Sequence, residues 1–197
     1  MSGVPDDSPP AMSLDLPRLL DKREAFRRGH TAFRNGLHAD GWIEKGEIVR
    51  DPATLDGVAA VQAASLQVAF PEATLLVGAP ACGAVVASFV ARHLGLPVAY
   101  VLTGERPGWH RMHVPGPGER VVYVDDLICT GTDARAVLAF LRGEGHTVLG
   151  VSAWLSRTRL EGERLDTLTG PPFQTFPASG CPLCAAGEGL VWRDVRE

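Results

Sequence analysis

The segment Val121–Asp133, which reads Val-Val-Tyr-Val-Asp-Asp-Leu-Ile-Cys-Thr-Gly-Thr-Asp, restricts the possible folds of this chain more than any other. Its first half is a continuous apolar and largely β-branched run, typical of a strand buried on both faces of a parallel sheet. Two adjacent acids, Asp125 and Asp126, follow the run and precede a short Thr/Gly loop. Ligands of open α/β sheets bind just beyond the carboxyl ends of the strands. The segment therefore predicts a buried strand with a ligand site at its end.

The loop from Cys129 to Thr132 has the composition of an anion site. Its backbone N–H groups and hydroxyls can face a phosphate, and a helix beginning near Asp133 adds the positive end of its dipole. Acids that can bind a sugar diol thus lie one turn away from a phosphate cradle, which is the layout of a ribose-phosphate site. The alternative is a buried strand that ends in a solvated acidic turn.

This segment resembles the phosphoribosyl-pyrophosphate signature of the type I phosphoribosyltransferases, in which apolar residues precede two acids, two apolar residues and a Thr-x-Gly-Thr-like loop. The resemblance implies that Asp125 and Asp126 hold the ribose 2′- and 3′-hydroxyls. It implies that the following residues surround the 5′-phosphate: Leu127, Ile128, Cys129, Thr130, Gly131 and Thr132. Cys129 stands where the family usually has Thr. Because a thiol is a weak donor, one side-chain contact is lost while the backbone amides remain.

A second loop, Gly78-Ala79-Pro80-Ala81-Cys82-Gly83, lies between a predicted strand and a predicted helix. Its small residues permit close backbone approach, and its amides can face an anion at the helix start. The pyrophosphate loop of the same family occupies this place, which implies that Ala81, Cys82 and Gly83 bind substrate. Considered alone, the loop is more often explained by tight packing of a short βα turn.

Residues 30–45 resemble the N-terminal hood of orotate phosphoribosyltransferases, which closes over the base and the pyrophosphate. The residues that match best are Phe33, Arg34, Gly36 and Trp42. The resemblance implies that Arg34 approaches the pyrophosphate or the base carboxylate, and that Trp42 packs near the base. The alternative is that Trp42 is a core residue and Arg34 a solvated charge.

The loop over residues 101–113 departs from the family, because orotate enzymes usually carry lysines there and this chain has only Lys22 and Lys45. In the family those cations stabilise the leaving pyrophosphate, often across a dimer interface. We predict that Arg106 and His110 substitute for them, with Arg111 and His113 as further candidates. An Arg can hold phosphate bidentately, and a His can act as a general acid near neutral pH. The alternative is that these are ordinary surface-loop cations.

The C-terminal sequence Cys181-Pro-Leu-Cys184 is similar to tails of some bacterial orotate phosphoribosyltransferases. A Cys-x-x-Cys pair suits a metal site or a redox pair, but it supplies only two of the four ligands of a structural zinc. His110 and His113 could supply the others. The alternative is a tight turn of reduced, partly buried thiols, consistent with a cytoplasmic chain.

Apolar periodicity and Gly/Pro breaks predict alternating strands and helices, and therefore an α/β fold with a doubly wound, mostly parallel sheet flanked by helices. The predicted helices cover residues 16–28, 54–70, 83–94 and 133–142; the predicted strands, beside the acid-ended one, cover 74–77, 98–102 and 147–155. Residues 31–49 are expected to be irregular or strand-like, and 103–120 a long loop or irregular hairpin. We predict one phosphoribosyltransferase domain over 13–197, after a flexible leader over 1–12. Its parts are a hood at about 30–50, a core at about 52–157 and a C-terminal segment at 170–197.

Composition agrees with one compact domain, since 45% of the 197 residues are hydrophobic and 21% are charged. We expect a cytoplasmic protein, because neither a signal peptide nor an apolar span of about 20 residues is evident. The net charge of −4 argues against nucleic-acid binding, which requires a basic face.

The resemblance implies transfer of a phosphoribosyl group from phosphoribosyl pyrophosphate to a nucleobase, with orotate as the expected base. Mg²⁺ would be held mainly by substrate oxygens and water, in keeping with its preference for few protein ligands. The resemblance also implies a homodimer. Two alternatives stay open: a phosphoribosyltransferase for another base, and a non-catalytic regulator that binds phosphoribosyl pyrophosphate.

Overall fold

The computed structural model describes residues 15–104 and 106–195, so the predicted leader lies outside the described residues. The helices are α1 (Leu16–Lys22), α2 (Gly46–Val49), α3 (Pro52–Ala69), α4 (Cys82–Leu94), α5 (Thr132–Gly143) and α6 (Pro182–Ala185). The strands are β1 (Phe26–Phe33), β2 (Leu37–Ile43), β3 (Leu75–Gly78), β4 (Val98–Leu102), β5 (Gly108–Trp109), β6 (Arg120–Ile128), β7 (Thr147–Ser156), β8 (Leu165–Thr167), β9 (Thr175–Pro177) and β10 (Trp192–Val195). In this part of the chain, no helix has both the length and the apolar character that crossing a membrane requires.

The larger sheet has six strands in the order β5-β4-β3-β6-β7-β8, and we call it the core sheet. All its neighbours pair in parallel except β4 and β5, which are antiparallel. The central strand β3 is buried at every position, because helices cover both faces of such a sheet. The prediction of a mostly parallel α/β sheet is confirmed.

Local sequence fixes the ends of the long helices. Asp51 caps α3 by accepting hydrogen bonds from the Ala53 and Thr54 amides, and Pro52 fits the first turn because it has no N–H to satisfy. Gly95 ends α4 in the left-handed conformation, with φ of 66°. The helices predicted over 54–70, 83–94 and 133–142 are therefore confirmed to within two residues at each end.

The predicted helix over residues 16–28 is wrong beyond Lys22. The chain turns at Glu24, which has φ of 53°, and β1 begins at Phe26. This strand lies between β2 and β10, so hydrogen bonds on both of its edges outweigh the local helical preference. The part that is helical buries Leu16 and Leu20 against the core.

The smaller sheet has four strands in the order β10-β1-β2-β9, and we call it the hood sheet. Strands β1 and β2 form an antiparallel pair. Strand β2 and the end of β1 lie within residues 31–49, which were predicted as irregular or strand-like, whereas β1 begins inside the predicted helix. The C-terminal segment supplies both outer strands, β9 beside β2 and β10 beside β1. Phe33, Ala39 and Ile43 point from the hood sheet into the same apolar cluster as Leu55 and Trp154. The sequence analysis predicted none of the strands β8, β9 and β10.

Candidate functional site

A cleft of about 670 Å³ opens at the carboxyl ends of β3 and β6, between the core sheet and the hood sheet. Three groups of residues line it. They are the β3–α4 loop with Ala79, Pro80, Ala81, Cys82 and Gly83; the end of β6 and the following turn from Asp125 to Gly131; and the hood residues Phe33, Arg34, Asn35 and Lys45. The cleft thus brings together the two predicted anion loops, the acid pair and Arg34.

The acid pair is held by its own surroundings. The Tyr123 hydroxyl donates to Asp125 Oδ2 at 2.8 Å, and the Asp126 amide donates to Asp125 Oδ1 at 2.9 Å. Asp126 is only 2% exposed and forms an ion pair with Lys45, whose Nζ lies 3.0 Å from Oδ2. Both carboxylates are therefore fixed before any ligand arrives.

Burial and the adjacent charge of Asp126 raise the pKa of Asp125 well above its usual value. Burial would by itself lower the pKa of Lys45, but the charge and hydrogen bond of Asp126 outweigh it, and the pKa rises. Burial, followed by the charge of Asp125, also raises the pKa of Tyr123. Lys45 therefore stays protonated at neutral pH, and Tyr123 keeps the proton that it donates.

Lys45 is the site residue that sequence reasoning missed. The family resemblance places the lysines at residues 101–113, whereas Lys45 lies just before α2 and reaches the cleft from the hood side. A signal was available in the sequence, because Lys45 is one of only two lysines and lies within the hood-like segment.

The β3–α4 loop approaches the acid pair so closely that only glycine fits. A Cβ on Gly83 would lie 2.6 Å from Asp125 Oδ1, and a Cβ on Gly78 would lie 2.5 Å from the Gly83 carbonyl oxygen. The peptide between Pro80 and Ala81 is cis. The N-terminus of α4 opens into the cleft here, which suits an anion.

The β6–α5 turn forms the second anion loop. Gly131 begins α5 in the left-handed conformation, with φ of 77°. The Thr130 and Thr132 hydroxyls are 3.0 Å apart, and the Arg135 guanidinium donates to the Thr130 carbonyl at 3.1 Å. Leu127, Ile128, Cys129, Thr130 and Gly131 all line the cleft, and Thr132 follows as the first residue of α5.

Of the two hood residues predicted to bind substrate, Arg34 lines the cleft and Trp42 does not. Arg34 lines the cleft and is held by β10, since its amide donates to the Val195 carbonyl at 3.1 Å and its Nε donates to the Asp194 carbonyl at 3.3 Å. Trp42 lies outside the cleft lining and packs edge-on against Trp192, with ring centroids 5.9 Å apart. Strand β10, which positions Arg34, was not predicted from the sequence.

Arg106 and His110 lie outside the lining of the cleft on their own chain. Of the described residues in this loop, Thr103 is the one that lines the cleft. Strand β5 pairs with β4, and the His110 and His113 rings lie 5.4 Å apart, with His113 4.2 Å from the Tyr100 ring. Catalytic roles for Arg106 and His110 stay predictions.

The Cys-x-x-Cys pair lies away from those loop histidines. Cys181 and Cys184 are grouped with His30 and His38, and one potential ligand atom from each lies within 4.8 Å of all the others. The predicted pairing of the cysteines with His110 and His113 is therefore replaced by a group that joins the hood sheet to the C-terminal segment.

Known proteins resemble this chain along most of its length, although no family model matches it. Orotate phosphoribosyltransferase from Acidithiobacillus ferrooxidans is 31% identical, over 88% of this chain and 92% of the relative. That from Thermus thermophilus is 28% identical, over 90% of this chain and 98% of the relative. The crystal structure of orotate phosphoribosyltransferase from Aeropyrum pernix matches with a TM-score of 0.68 and 24% identity, over 79% of this chain and 93% of that one, which shows a shared fold.

Proposed function

The chain belongs to the orotate phosphoribosyltransferase family, and we propose that it transfers the phosphoribosyl group of phosphoribosyl pyrophosphate to orotate. The products are the nucleoside 5′-monophosphate and pyrophosphate. The observation that carries the proposal is the position of the buried acid pair between two anion loops in one cleft. A ribose that carries a phosphate on one side and a pyrophosphate on the other requires this order of groups.

In the proposed complex, each part of the substrate would have its own place in the cleft. The 5′-phosphate would accept hydrogen bonds from the amides of the β6–α5 turn, where the α5 dipole adds positive potential. The pyrophosphate would occupy the β3–α4 loop at the start of α4. Between them, Asp125 and Asp126 would accept hydrogen bonds from the ribose hydroxyls. Lys45, already paired with Asp126, balances part of the negative charge that meets there.

In the proposed reaction, a ring nitrogen of the base forms a bond to C1′ as the bond from C1′ to the pyrophosphate oxygen breaks. The protein contributes mainly by holding the reactants in line and by stabilising charge on the leaving group. Arg34 at the hood side of the cleft can bind either the orotate carboxylate or the pyrophosphate bidentately. Its backbone contacts with β10 fix it for that task.

The donor set of the cleft fits Mg²⁺. Three carboxylates, of Asp125, Asp126 and Asp133, line it and are hard oxygen ligands of the kind that this ion prefers. Mg²⁺ would enter with the substrate, held mainly by substrate oxygens and water, while Asp125 and Asp126 accept from the ribose hydroxyls. When bound, Mg²⁺ would neutralise part of the negative charge of the pyrophosphate.

We also propose that the chain works as a homodimer in which the loop carrying Arg106 and His110 serves the partner's cleft. The support is that neither residue lines its own cleft, while the loop side chains His110 and Met112 remain partly or largely exposed. A cytoplasmic location stays a prediction from the sequence.

The test is pyrophosphate release in the presence of Mg²⁺ and phosphoribosyl pyrophosphate, first with orotate and then with uracil, adenine and hypoxanthine. Release that depends on orotate supports the proposal. Release with another base alone assigns a different phosphoribosyltransferase, and binding of the sugar phosphate with no release under any base assigns a regulator. Arg34→Ala should lower kcat more than it weakens binding of phosphoribosyl pyrophosphate, whereas Arg18→Ala on the exposed side of α1 should change neither.

A further inference from the structure

We propose that the hood carries a structural Zn²⁺ site whose four ligands are His30 Nε2, His38 Nδ1, Cys181 Sγ and Cys184 Sγ. The four residues form a compact group on the side of the hood where the C-terminal segment crosses it. None of them lines the catalytic cleft, so this inference does not depend on the proposed function.

Four of the six distances among the ligand atoms are close to those of a tetrahedral zinc, and all six are within 4.8 Å. His30 Nε2 lies 3.0 Å from His38 Nδ1 and 3.5 Å from each of the sulfurs of Cys181 and Cys184. Cys184 Sγ lies 3.3 Å from His38 Nδ1. Zinc bonds of about 2.0–2.1 Å to nitrogen and 2.3 Å to sulfur put tetrahedral ligand atoms roughly 3.3–3.8 Å apart. An ion can therefore be held by the group after side-chain movements of about 1 Å or less.

The surroundings of His30 prepare it as a ligand. Its Nδ1 lies 2.8 Å from the Glu188 carbonyl oxygen, so a proton on Nδ1 is satisfied there and Nε2 keeps its lone pair. Metal-binding histidines generally donate their second ring nitrogen to such a partner. His30 and Cys181 are each 3% exposed, whereas His38 is half-buried and Cys184 is exposed. Four protein ligands would leave no open position on the ion, which suits structure rather than catalysis.

The backbone brings the four residues together from two directions. Ala32 pairs with His38 across β1 and β2, so His30, two residues earlier, is a diagonal neighbour of His38 on the same face of the hood sheet. His38 also pairs with Phe176 in β9, and the chain leads from there into Cys181. The single turn of α6 then brings Cys184 back toward the histidines, with the Ala185 amide donating to the Cys181 carbonyl at 3.1 Å.

The chemistry of the four ligands favours Zn²⁺. Two thiols lose their protons to solvent when they bind, and two neutral imidazoles complete the set, so the metal and its ligands carry no net charge. A neutral group avoids the large cost of burying an isolated charge. Tetrahedral coordination by two nitrogens and two sulfurs is typical of structural zinc.

The ion would fasten the C-terminal segment across the hood. Residues 178–191 connect β9 on one edge of the hood sheet to β10 on the other, and the proposed site lies along that connection. Strand β10 in turn holds Arg34 through Val195 and Asp194. Zinc would therefore stabilise the hood and, through β10, the position of Arg34.

The first test is the metal content of the full-length protein purified under reducing conditions without added chelator. We expect one zinc ion per chain by plasma mass spectrometry. Replacement by Co²⁺ should give the ligand-field and thiolate charge-transfer bands of a tetrahedral site, and chelation should lower the melting temperature until Zn²⁺, but not Mg²⁺, is restored. These readouts need no variant, so a variant that fails to fold does not affect them.

Variants then assign the ligands. Cys181→Ser with Cys184→Ser should remove the zinc, and His38→Gln should weaken zinc binding at least tenfold. Two matched controls, Cys82→Ser with Cys129→Ser and His110→Gln with His113→Gln, should keep one zinc per chain. The proposal is overturned if the reduced wild type neither contains nor binds Zn²⁺. It is also overturned if the metal survives the Cys181 and Cys184 substitutions, or if it is lost in the His110 and His113 control.

Discussion

The core sheet and the hood sheet are assembled from the chain in opposite ways. The acid pair and both anion loops of the core come from two short stretches, residues 75–83 and 120–133, each a strand followed at once by its helix. The hood pairs residues 26–43 with residues 175–195, more than 130 positions away along the chain. The first region is therefore determined largely by local sequence, and the second by contacts between distant segments.

The two sheets are expected to differ in their stability against local unfolding. The central strands β3 and β6 of the core sheet are largely buried on both faces and pack among apolar side chains. The hood has one face on the core, while its outer part is held by edge strands of three and four residues. We expect the core to set the global stability of the chain and the hood to open at lower free energy.

A pair of tryptophan substitutions tests this contrast and should give the largest effect. Trp154 in β7 is 2% exposed, so Trp154→Ala should lower the free energy of unfolding by about 3–5 kcal/mol. Trp192→Ala removes one edge-on contact with Trp42 and one hydrogen bond to the Arg28 carbonyl. It should lower the free energy of unfolding by about 1–2 kcal/mol. Urea unfolding measures both changes. Hydrogen exchange should then quicken across the hood alone in Trp192→Ala, and equal exchange changes in the two sheets would remove the distinction.

One polar contact between the two regions is the ion pair of Lys45 with Asp126. Lys45→Met would leave a carboxylate that is 2% exposed without its cation, and we expect a loss of about 2–3 kcal/mol, less than for a fully buried pair because Lys45 is 29% exposed. Lys22→Met replaces the other lysine, which is exposed, and should change stability by less than about 0.5 kcal/mol.

The pH dependence of that loss follows from the raised pKa of Lys45. A cation whose pKa is higher in the folded state contributes stability that is complete below its unfolded pKa and is lost as pH rises through the folded value. The gap between wild type and Lys45→Met should therefore be constant from about pH 7 to pH 9 and narrow at higher pH. A gap that is already closed at pH 7 would show that the pair contributes nothing.

Gly83→Ala tests the close approach of the pyrophosphate loop to the acid pair. The new Cβ would meet Asp125 Oδ1 at 2.6 Å, so the loop or the carboxylate must move. We expect kcat/KM to fall by roughly 10- to 100-fold, or about 1.4–2.7 kcal/mol of transition-state stabilisation. Gly57→Ala within α3 has free space around it and is the matched control, with unchanged kinetics and a small gain in stability. Similar kinetics in the two variants would contradict the geometry.

The smallest expected effect is a change with pH in the stability of the protein without ligand. Because burial and Asp126 raise the pKa of Asp125, its contribution to stability is greatest below its unfolded pKa and is lost as pH rises through the folded value. Asp125→Asn removes this dependence. Its free energy of unfolding, relative to wild type, should therefore increase between acid and neutral pH. Urea unfolding at several pH values across that range measures this difference between variant and wild type. A difference that decreases as pH rises would contradict a raised pKa for Asp125.

The residues that line the cleft on the core side were predictable because they lie close together in sequence. Asp125, Asp126 and the Thr/Gly turn follow one strand without interruption, and Gly83 follows another. The strand at Phe26 was missed because its pairing with β10 is invisible to local periodicity. The predicted pairing of Cys181 and Cys184 with His110 and His113 was wrong for a similar reason, because His30 and His38 are brought to the cysteines by contacts between distant segments.

The central claim is that the strand-end acids of the core bind the ribose of phosphoribosyl pyrophosphate. Isothermal titration calorimetry of the wild type and of Asp125→Asn with Asp126→Asn, each with Mg²⁺ and phosphoribosyl pyrophosphate, tests it most directly. Hydrogen bonds to charged groups contribute about 1.5–3 kcal/mol each, so the account predicts binding by the wild type and at least a 100-fold loss of affinity in the folded double variant. Equal affinity in the two proteins would contradict it.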